Sequence, residues 1–575
     1  MDYGAMTGSG VPPASQSPDG SARGERPGVD GNDVRAGAGK RGAHAAGAPV
    51  PVTGGPALHG RERGPGAGIA GLRFPSAWPL LVVLAVQAAL SLRLVWADTA
   101  FQDEATYLWA GHLEWAHWLH GTPIPPFPAY FSGAPVLYPP LGALADSIGG
   151  LAAARILSLV FMLGATVLLW DTADRLYRRK TAIFATALFA VLSPTLHLGA
   201  FATYDAASVF LVALGAWCVV RAGDRGEGTG WLVAAGAALA VANAAAYSSA
   251  LFDPVVVVLA LSTALPSGGR LAARRCAILV TVVVALLAAG LLIGGSSYRT
   301  GIDQTTLARV AGTTSPLSVL TAAWSWTGLL VVLAVCGVII SWVGRPGRAR
   351  TWLLAVLTVA ALLGPLEQAR LNTSVSLNKH VDLGAWFAAI AAGYAVDKFI
   401  SAAPAGRMRV LTGGACLVCL VFPLELGASQ SWVFSTDWPN ASSFIAILRP
   451  LADQGNGRLL VEDASIARYY LPVGSQWQRW STTRNIVLPS GASTAGPASA
   501  AGVTGPGNPG VFAEFVTHGY FSLVALNYAD TTTLDRQITA DLRRSHHYRI
   551  IDVVPYGTAA PPYGTYVIWR YEPQS

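Results

Sequence analysis

Long apolar segments, separated by short polar or Gly/Pro-containing connections, recur between residues 78 and 426. Their lengths approach the roughly 20 residues that a helix needs to cross a bilayer, so they predict a polytopic α-helical membrane protein of about eleven spans. The predicted spans are Trp78–Trp96, Leu151–Trp170, Ala182–Leu198, Ala206–Val220, Trp231–Ala246, Pro254–Leu265, Ala277–Gly295, Ala322–Val343, Trp352–Leu366, Leu383–Ile400 and Val410–Leu426. Several are short, so the count is fixed only to within about two helices.

Two segments with different patterns flank this transmembrane region, residues 78–426. Residues 1–77 are rich in Gly, Ala, Pro and Ser and almost lack large apolar side chains, which predicts a disordered tail. Residues 427–575 have balanced charge and short apolar runs, which predict a small α/β domain. Its predicted strands are Arg458–Glu462, Phe521–Tyr528, Tyr548–Val554 and Thr565–Tyr571, with a helix at Thr533–Ser545 and a loop at Pro489–Pro509.

Basic residues fall in alternate connections between the spans, for example Arg178 to Lys180 and Arg345 to Arg350. Because cytoplasmic loops are enriched in Lys and Arg, this predicts a plasma-membrane protein with a cytoplasmic N-terminal tail and an extracytoplasmic C-terminal domain. The net charge of +7 therefore reflects topology and does not indicate a nucleic-acid partner.

Composition agrees with a membrane protein, since 52% of residues are hydrophobic and only 12% are charged. A soluble globular chain carries about a quarter charged residues, so a soluble enzyme is excluded. The preference for Arg over Lys, together with abundant Ala, Gly and Pro, is typical of a GC-rich genome such as that of an actinobacterium.

An acidic pair, Asp103 and Glu104, lies just beyond the first predicted span. Two carboxylates at a membrane surface are suited to act as a general base or to hold a divalent metal ion. The alternative is an acidic pair that only stabilises a helix N-terminus.

The residues that follow the acidic pair predict an amphipathic interfacial helix. Its apolar face comprises Ala105, Leu108, Trp109, His112, Trp115, Ala116 and Leu119.

A Pro-rich, aromatic stretch follows from Thr122 and includes Tyr138, Pro139 and Pro140. Prolines stiffen such a segment and suppress helix formation. The stretch therefore predicts an ordered loop over an outer cavity; a passive connector is the alternative.

These features resemble the GT-C glycosyltransferases that use lipid-phosphate sugars, in particular bacterial protein O-mannosyltransferases and lipid A aminoarabinose transferases. The resemblance covers roughly residues 78–400, and its most specific part is the string formed by Asp103, Glu104, Ala105 and Tyr107. It implies a GT-C-like helical fold, a polyprenyl-phosphate sugar donor and an outer-facing active site. It also assigns the general base to the first acidic residue of the pair, Asp103.

The resemblance extends to the stretch Ser193–Asp205, because the family carries an acidic residue at the outer end of its fourth span. Here that residue is Asp205, preceded by Tyr204, and an acidic residue at membrane depth is a functional candidate. Its alternative role is stabilisation of a helix N-terminus. Tyr107, Tyr138, Pro139, Pro140 and Tyr204 are then predicted to line the donor or acceptor path.

One departure concerns the donor phosphate, because some relatives place a basic residue just before Pro-Pro where this chain has Tyr138. Lys379 and His380, before the tenth predicted span, are the first candidates to replace it, since a lysine at headgroup level can meet a phosphate. The alternative for Lys379 is a snorkelling interfacial lysine. Arg370 and Arg299 are the second choices.

The predicted function is transfer of a sugar from polyprenyl phosphate to a protein, lipid or glycan acceptor at the outer membrane face, with inversion. A transporter of a lipid-linked or cell-envelope precursor is the alternative. Transporters place ionisable residues near mid-membrane, whereas those here gather at the outer ends of the spans. A non-catalytic binding scaffold is a third reading, and neither the sugar nor the acceptor follows from the residues.

Overall fold

The computed structural model of the 575-residue chain describes residues 74–573, apart from 225–227, 309–310, 346, 437–439, 454–456, 485, 488–502, 505–508, 530 and 556–564. The predicted tail, residues 1–77, thus lies almost entirely outside the described residues, as does most of the predicted loop Pro489–Pro509. The described residues divide into a bundle of apolar helices and a C-terminal unit built on a mixed sheet.

Fourteen helices of the described chain precede the C-terminal unit. They are α1 (Phe74–Val95), α2 (Gln102–His120), α3 (Tyr138–Leu176), α4 (Arg179–Ala190), α5 (Ser193–Leu198), α6 (Tyr204–Asp224), α7 (Thr229–Ala245), α8 (Asp253–Ala264), α9 (Gly269–Ile302), α10 (Pro316–Gly344), α11 (Arg348–Arg370), α12 (Leu377–Ala402), α13 (Arg407–Cys419) and α14 (Val421–Thr436). Helix α3 bends at Gly150, whose φ of 66° suits glycine. The predicted span Leu151–Trp170 starts just after this bend.

Nine helical stretches in the described ranges are long and apolar enough to cross a membrane, which confirms a multi-pass helical protein. They are Ala77–Val95, Tyr138–Leu176, Tyr204–Gly223, Tyr247–Ser267, Gly269–Leu307, Pro316–Gly344, Arg348–Arg370, Leu377–Ala402 and Arg407–Thr436. The predicted span Trp231–Ala246 corresponds to α7, with 17 residues, and Ala182–Leu198 is divided into α4 and α5, with 12 and 6 residues. The count of eleven spans stays a prediction.

Helix α12 forms the centre of the bundle and is buried over most of its length between α4, α10 and α11. Two glycines allow this close packing. A Cβ at Gly384 would lie 2.3 Å from the carbonyl oxygen of Ala360, and one at Gly393 would lie 2.5 Å from that of Thr181. The central position of α12 fixes Lys379, in its first turn, against neighbouring helices.

The C-terminal unit has four helices and two sheets among its described residues. They are α15 (Ser442–Asp453), α16 (Ser465–Tyr470), α17 (Pro509–Thr517), α18 (Thr532–Ser545), β1 (Arg458–Val461), β2 (Trp480–Ser481), β3 (Ile486–Val487), β4 (Val503–Thr504), β5 (Phe521–Leu526), β6 (Tyr548–Pro555) and β7 (Thr565–Tyr571). The main sheet has the order β2-β1-β5-β7-β6, with β2, β1 and β5 parallel. The four predicted strands and the predicted helix are confirmed.

Candidate active site

The first turns of α2, α6 and α12 meet and bring three predicted site residues together. The Nζ atom of Lys379 donates a hydrogen bond to Asp103 Oδ2 and lies 3.6 Å from Asp205 Oδ2. Lys379 and Asp205 are buried, whereas the Asp103 side chain is 34% exposed. Asp103 is therefore the carboxylate of this cluster that a substrate can approach.

Local helix electrostatics explain this grouping. Asp103 and Asp205 lie in the first turns of α2 and α6, where the helix dipole favours a negative charge. Lys379 lies in the first turn of α12, where the dipole disfavours a cation, and the two carboxylates offset that cost. With both carboxylates ionised, the cluster carries one net negative charge.

Glu104 points away from this cluster and forms a buried ion pair with Arg155 of α3. Arg155 donates to both carboxylate oxygens, with distances of 2.8 Å from Nε to Oε1 and 2.8 Å from Nη2 to Oε2. The same carboxylate accepts the backbone N–H groups of Phe101 and Ala202 at 3.0 and 2.7 Å. Glu104 thus holds the start of α2 in place.

Arg155 also binds the segment that leads into α2, by donating to the carbonyl oxygens of Val95, Ala97 and Thr99 at 2.8–3.2 Å. Sequence reasoning missed this residue. An available signal was its charge, because an ionisable residue inside a predicted span is rare and marks a polar partner. Because Glu104 and Arg155 fix the start of α2 and the segment that leads into it, they also fix the position of Asp103.

Aromatic rings lie near the two carboxylates of the cluster. The ring of Tyr107 lies 4.8 Å from that of Tyr204, 5.2 Å from that of Phe131 and 6.4 Å from that of Tyr138, measured between centroids. Burial and the nearby carboxylates raise the pKa of Tyr107 well above its ordinary value, so its phenol stays protonated as a hydrogen-bond donor. The structure therefore groups three of the predicted path residues, and two of them, Tyr107 and Tyr204, lie near Asp103 and Asp205.

Pro139 and Pro140 have a packing role in the contact between α2 and α3. Trp115 Nε1 donates to the carbonyl oxygen of Pro140 at 2.8 Å. A Cβ at Gly111 would lie 1.9 Å from the carbonyl oxygen of Pro139, so only glycine fits there. The preceding segment is ordered by backbone hydrogen bonds to the turn after α7, from Ala134 to Ala244 and from Tyr247 to Ser132.

The other predicted phosphate ligands contact other groups or are exposed. His380 Nδ1 lies 2.5 Å from Gln368 Nε2. Arg370 is exposed and pairs with Glu367 at 2.7 Å, and Arg299 is exposed near the end of α9. Of the four predicted cations, Lys379 is the one that the structure brings into contact with Asp103.

The predicted metal role of Asp103 and Glu104 does not fit the described geometry. Both oxygens of Glu104 are occupied by Arg155, so the two side chains do not face a common ion. Among the described residues, no group of three or more His, Cys, Asp or Glu side chains could hold a metal ion.

The C-terminal unit covers α2. The Tyr470 hydroxyl accepts the backbone N–H of Ala100 at 2.7 Å, and Trp109 Nε1 donates to the carbonyl oxygen of Gly474 at 2.9 Å. Tyr469 donates to Asp146 at 2.7 Å, and Asp146 also lies 2.7 Å from His112 Nε2. Helix α2 is thus enclosed between α3 and α16, and its place at the membrane interface stays a prediction.

A second pair of adjacent acidic residues, Glu462 and Asp463, directly follows β1 and has a structural role. Glu462 is buried and accepts the backbone N–H groups of Asn527, Tyr528 and Thr531 at 2.6–3.2 Å. Asp463 accepts that of Ser465 at 2.9 Å. These contacts tie the turn after β5 to the end of β1.

We expect Glu462→Ala to destabilise the C-terminal unit by about 1–3 kcal/mol, because buried N–H groups lose their acceptor. Activity per folded molecule should stay near that of the parent protein. Thermal unfolding and a transfer assay on the folded fraction measure the two effects, with Asp463→Ala as the half-buried control. Abolished turnover in a folded Glu462→Ala protein would give this pair a catalytic role.

Comparison with known proteins agrees with this architecture. Residues 141–293 match the family of dolichyl-phosphate-mannose-protein mannosyltransferases. No curated protein has a sequence that matches significantly.

Solved structures are similar over most of the chain. ArnT from Cupriavidus metallidurans in the apo state shares 14% identity at a TM-score of 0.56, over 86% of this chain and 98% of its own. The same protein bound to undecaprenyl phosphate shares 14% identity at a TM-score of 0.54, over 86% of this chain and 98% of its own. The oligosaccharyltransferase of Archaeoglobus fulgidus in the apo form shares 12% identity at a TM-score of 0.51, over 85% of this chain and 75% of its own. The chain thus has the fold of the GT-C glycosyltransferases, as its sequence resemblance predicts.

Proposed function

We propose that this protein is a membrane glycosyltransferase that moves a sugar from a polyprenyl-phosphate donor to a hydroxyl group of an acceptor. The observation that carries the proposal is the cluster of Asp103, Lys379 and Asp205 at the meeting point of three helices. The GT-C fold and the match to a mannosyltransferase family support it. The undecaprenyl phosphate bound to ArnT supports a donor with a polyprenyl-phosphate carrier.

Asp103 acts as the general base in this proposal. The acceptor oxygen attacks the anomeric carbon, its proton passes to the Asp103 carboxylate, and the bond from that carbon to the phosphate oxygen breaks with its electron pair. Polyprenyl phosphate leaves as an anion, so the step needs positive charge more than it needs an acid. A single displacement with one base inverts the configuration at the anomeric carbon. The partial exposure of Asp103 supports this role.

Lys379 supplies a positive charge that pairs with both carboxylates and attracts the donor phosphate. In the cluster it is the buried cation that donates a hydrogen bond to the proposed base. Asp205, whose carboxylate is buried 3.6 Å from Lys379 Nζ, orients that lysine and the bound donor. His380 of α12, Arg370 at the end of α11 and Arg299 near the end of α9 are the secondary candidates for phosphate contacts.

We expect Lys379→Ala to lower kcat/KM for the donor by about 10²-fold, the loss seen when an electrostatic donor at a reacting centre is removed. Lys398→Ala is the matched control, because Lys398 lies on the same helix, 5.4 Å from the ring of Tyr394 and about 28 Å from Lys379 along the axis. Donor titrations with both purified variants separate KM from kcat. Equal activity in the two variants would leave Lys379 an interfacial anchor.

The membrane orientation is part of the proposal. The contact of α16 with α2 supports placing the C-terminal unit and Asp103 on one side of the membrane. Loop charge assigns that side to the exterior and the N-terminal tail to the cytoplasm.

We expect a reporter that works only outside the membrane to be active when fused at Ser575 and silent when fused before Met1. Cells that express each fusion at equal levels provide the measurement. The reverse pattern would overturn the orientation and move the proposed site to the cytoplasmic face.

A further inference from the structure

A groove with a volume of about 730 Å³ opens between the end of α10 and the start of α11. Its floor is apolar and includes Val338 and Ile339 of α10 and Ala355 of α11. The volume lies within the roughly 300–1,000 Å³ range of small-molecule sites.

The groove lies at the opposite end of the bundle from Asp103. Helix α11 runs from Arg348 at the groove to Gly364, which packs against the backbone of His380 beside Lys379. These sixteen residues span about 24 Å. The groove is therefore separate from the proposed active site, and loop charge assigns it to the cytoplasmic side of the membrane.

Cationic and aromatic side chains surround the groove's mouth. Arg345 and Arg348 line it and are exposed, and within the described part of the chain no ion pair joins either guanidinium group to an acid. Trp342 and Trp352 flank it and are 73% and 71% exposed. Tryptophan prefers the headgroup level of a bilayer, and arginine binds phosphate through two parallel hydrogen bonds.

The backbone at the mouth also points to a need for the arginine side chain. Arg345 terminates α10 in a left-handed conformation, with φ 49°. Glycine is the usual residue at such a position, because a side chain is disfavoured there. Arg345 nevertheless adopts this conformation at the end of α10, where it lines the groove.

We propose that this groove binds one phospholipid with an anionic headgroup. The phosphate pairs with Arg345 and Arg348, and an acyl chain lies along the apolar floor. The cytoplasmic leaflet is the one enriched in anionic lipids, so charge and location agree. Lipid binding here rests on the proposed membrane orientation but not on glycosyl transfer.

The test is native mass spectrometry of the delipidated full-length protein, titrated with phosphatidylglycerol and with phosphatidylcholine of the same acyl chains. The variant is Arg345→Gln with Arg348→Gln. The control is Arg270→Gln with Arg274→Gln, two exposed arginines in the first turns of α9 that do not line the groove.

We expect the parent and control proteins to bind one phosphatidylglycerol tightly and phosphatidylcholine more weakly. The groove variant should lose phosphatidylglycerol affinity by about 25-fold, or about fivefold for each arginine. An equal loss of phosphatidylglycerol affinity in both double variants would show that only general surface charge matters and would contradict a binding site in the groove. Equal affinity for the two lipids, or displacement by inorganic phosphate, would overturn the anionic-phospholipid assignment.

Discussion

Asp103→Asn is expected to lower the rate of glycosyl transfer by about 10²–10⁴-fold, the contribution of a positioned general base. Asparagine keeps the size of the side chain and one oxygen but cannot accept the acceptor's proton. Donor binding should survive, because Lys379 and Asp205 remain in place. Single-turnover transfer and donor binding, measured on the same purified variant, separate the two effects.

Asp98→Asn is the matched control for this experiment. Asp98 lies in the connection before α2, five residues from Asp103, and has φ 56°, a conformation that asparagine tolerates well. It should transfer sugar at close to the parental rate. If Asp103→Asn also did so, the base would lie elsewhere, and Asp205 would become the first candidate.

Arg155→Met is expected to lower the free energy of unfolding by about 3–5 kcal/mol, because it leaves Glu104 as an uncompensated buried charge. Arg155 and Glu104 are 1% and 0% exposed, so water cannot replace the lost partner. Arg175→Met, on the same helix, is the control, since its pair with Asp171 is partly exposed and should contribute at most about 1 kcal/mol. Unfolding in detergent, followed by tryptophan fluorescence, measures both variants.

A double-mutant cycle tests the mechanism of that loss. Arg155→Met combined with Glu104→Gln removes both charges, so the double variant should lose less stability than the two single variants added together. Additive losses, or an Arg155→Met loss no larger than that of Arg175→Met, would contradict a tightly coupled buried pair.

Apolar segments and turn residues predicted most of the fold, since spans and buried strands are encoded locally. The strand at Phe521–Leu526 and the helix at Thr532–Ser545 follow directly from their hydrophobic patterns. The enclosure of α2 could not be predicted in this way. It depends on contacts such as that from Trp109 to Gly474, 365 residues later in the chain, and no local pattern encodes them.

The residues of the candidate site also divide into those with a local sequence signal and those whose contacts depend on long-range packing. Asp103 and Asp205 were identifiable because ionisable residues at the outer ends of predicted spans are functional candidates and because both matched a family pattern. Lys379 was identifiable as an outer cation, but its contact with both carboxylates depends on the packing of α12 at the centre of the bundle. Arg155 was missed because the apolar residues around it were interpreted only as a span. Its partners lie 51–60 residues away in the sequence, so no local pattern pairs its charge.

The most direct measurement of the central claim is made in the organism that encodes the protein. The gene is deleted and complemented with the parental or the Asp103→Asn sequence, and envelope glycans and polyprenyl-phosphate lipids are compared by mass spectrometry. We expect the deletion and Asp103→Asn strains to lose the same glycan and accumulate the same polyprenyl-phosphate sugar, with the parental gene restoring both. A parental glycan profile in the Asp103→Asn strain, or unchanged lipid-linked sugars in the deletion, would contradict the account.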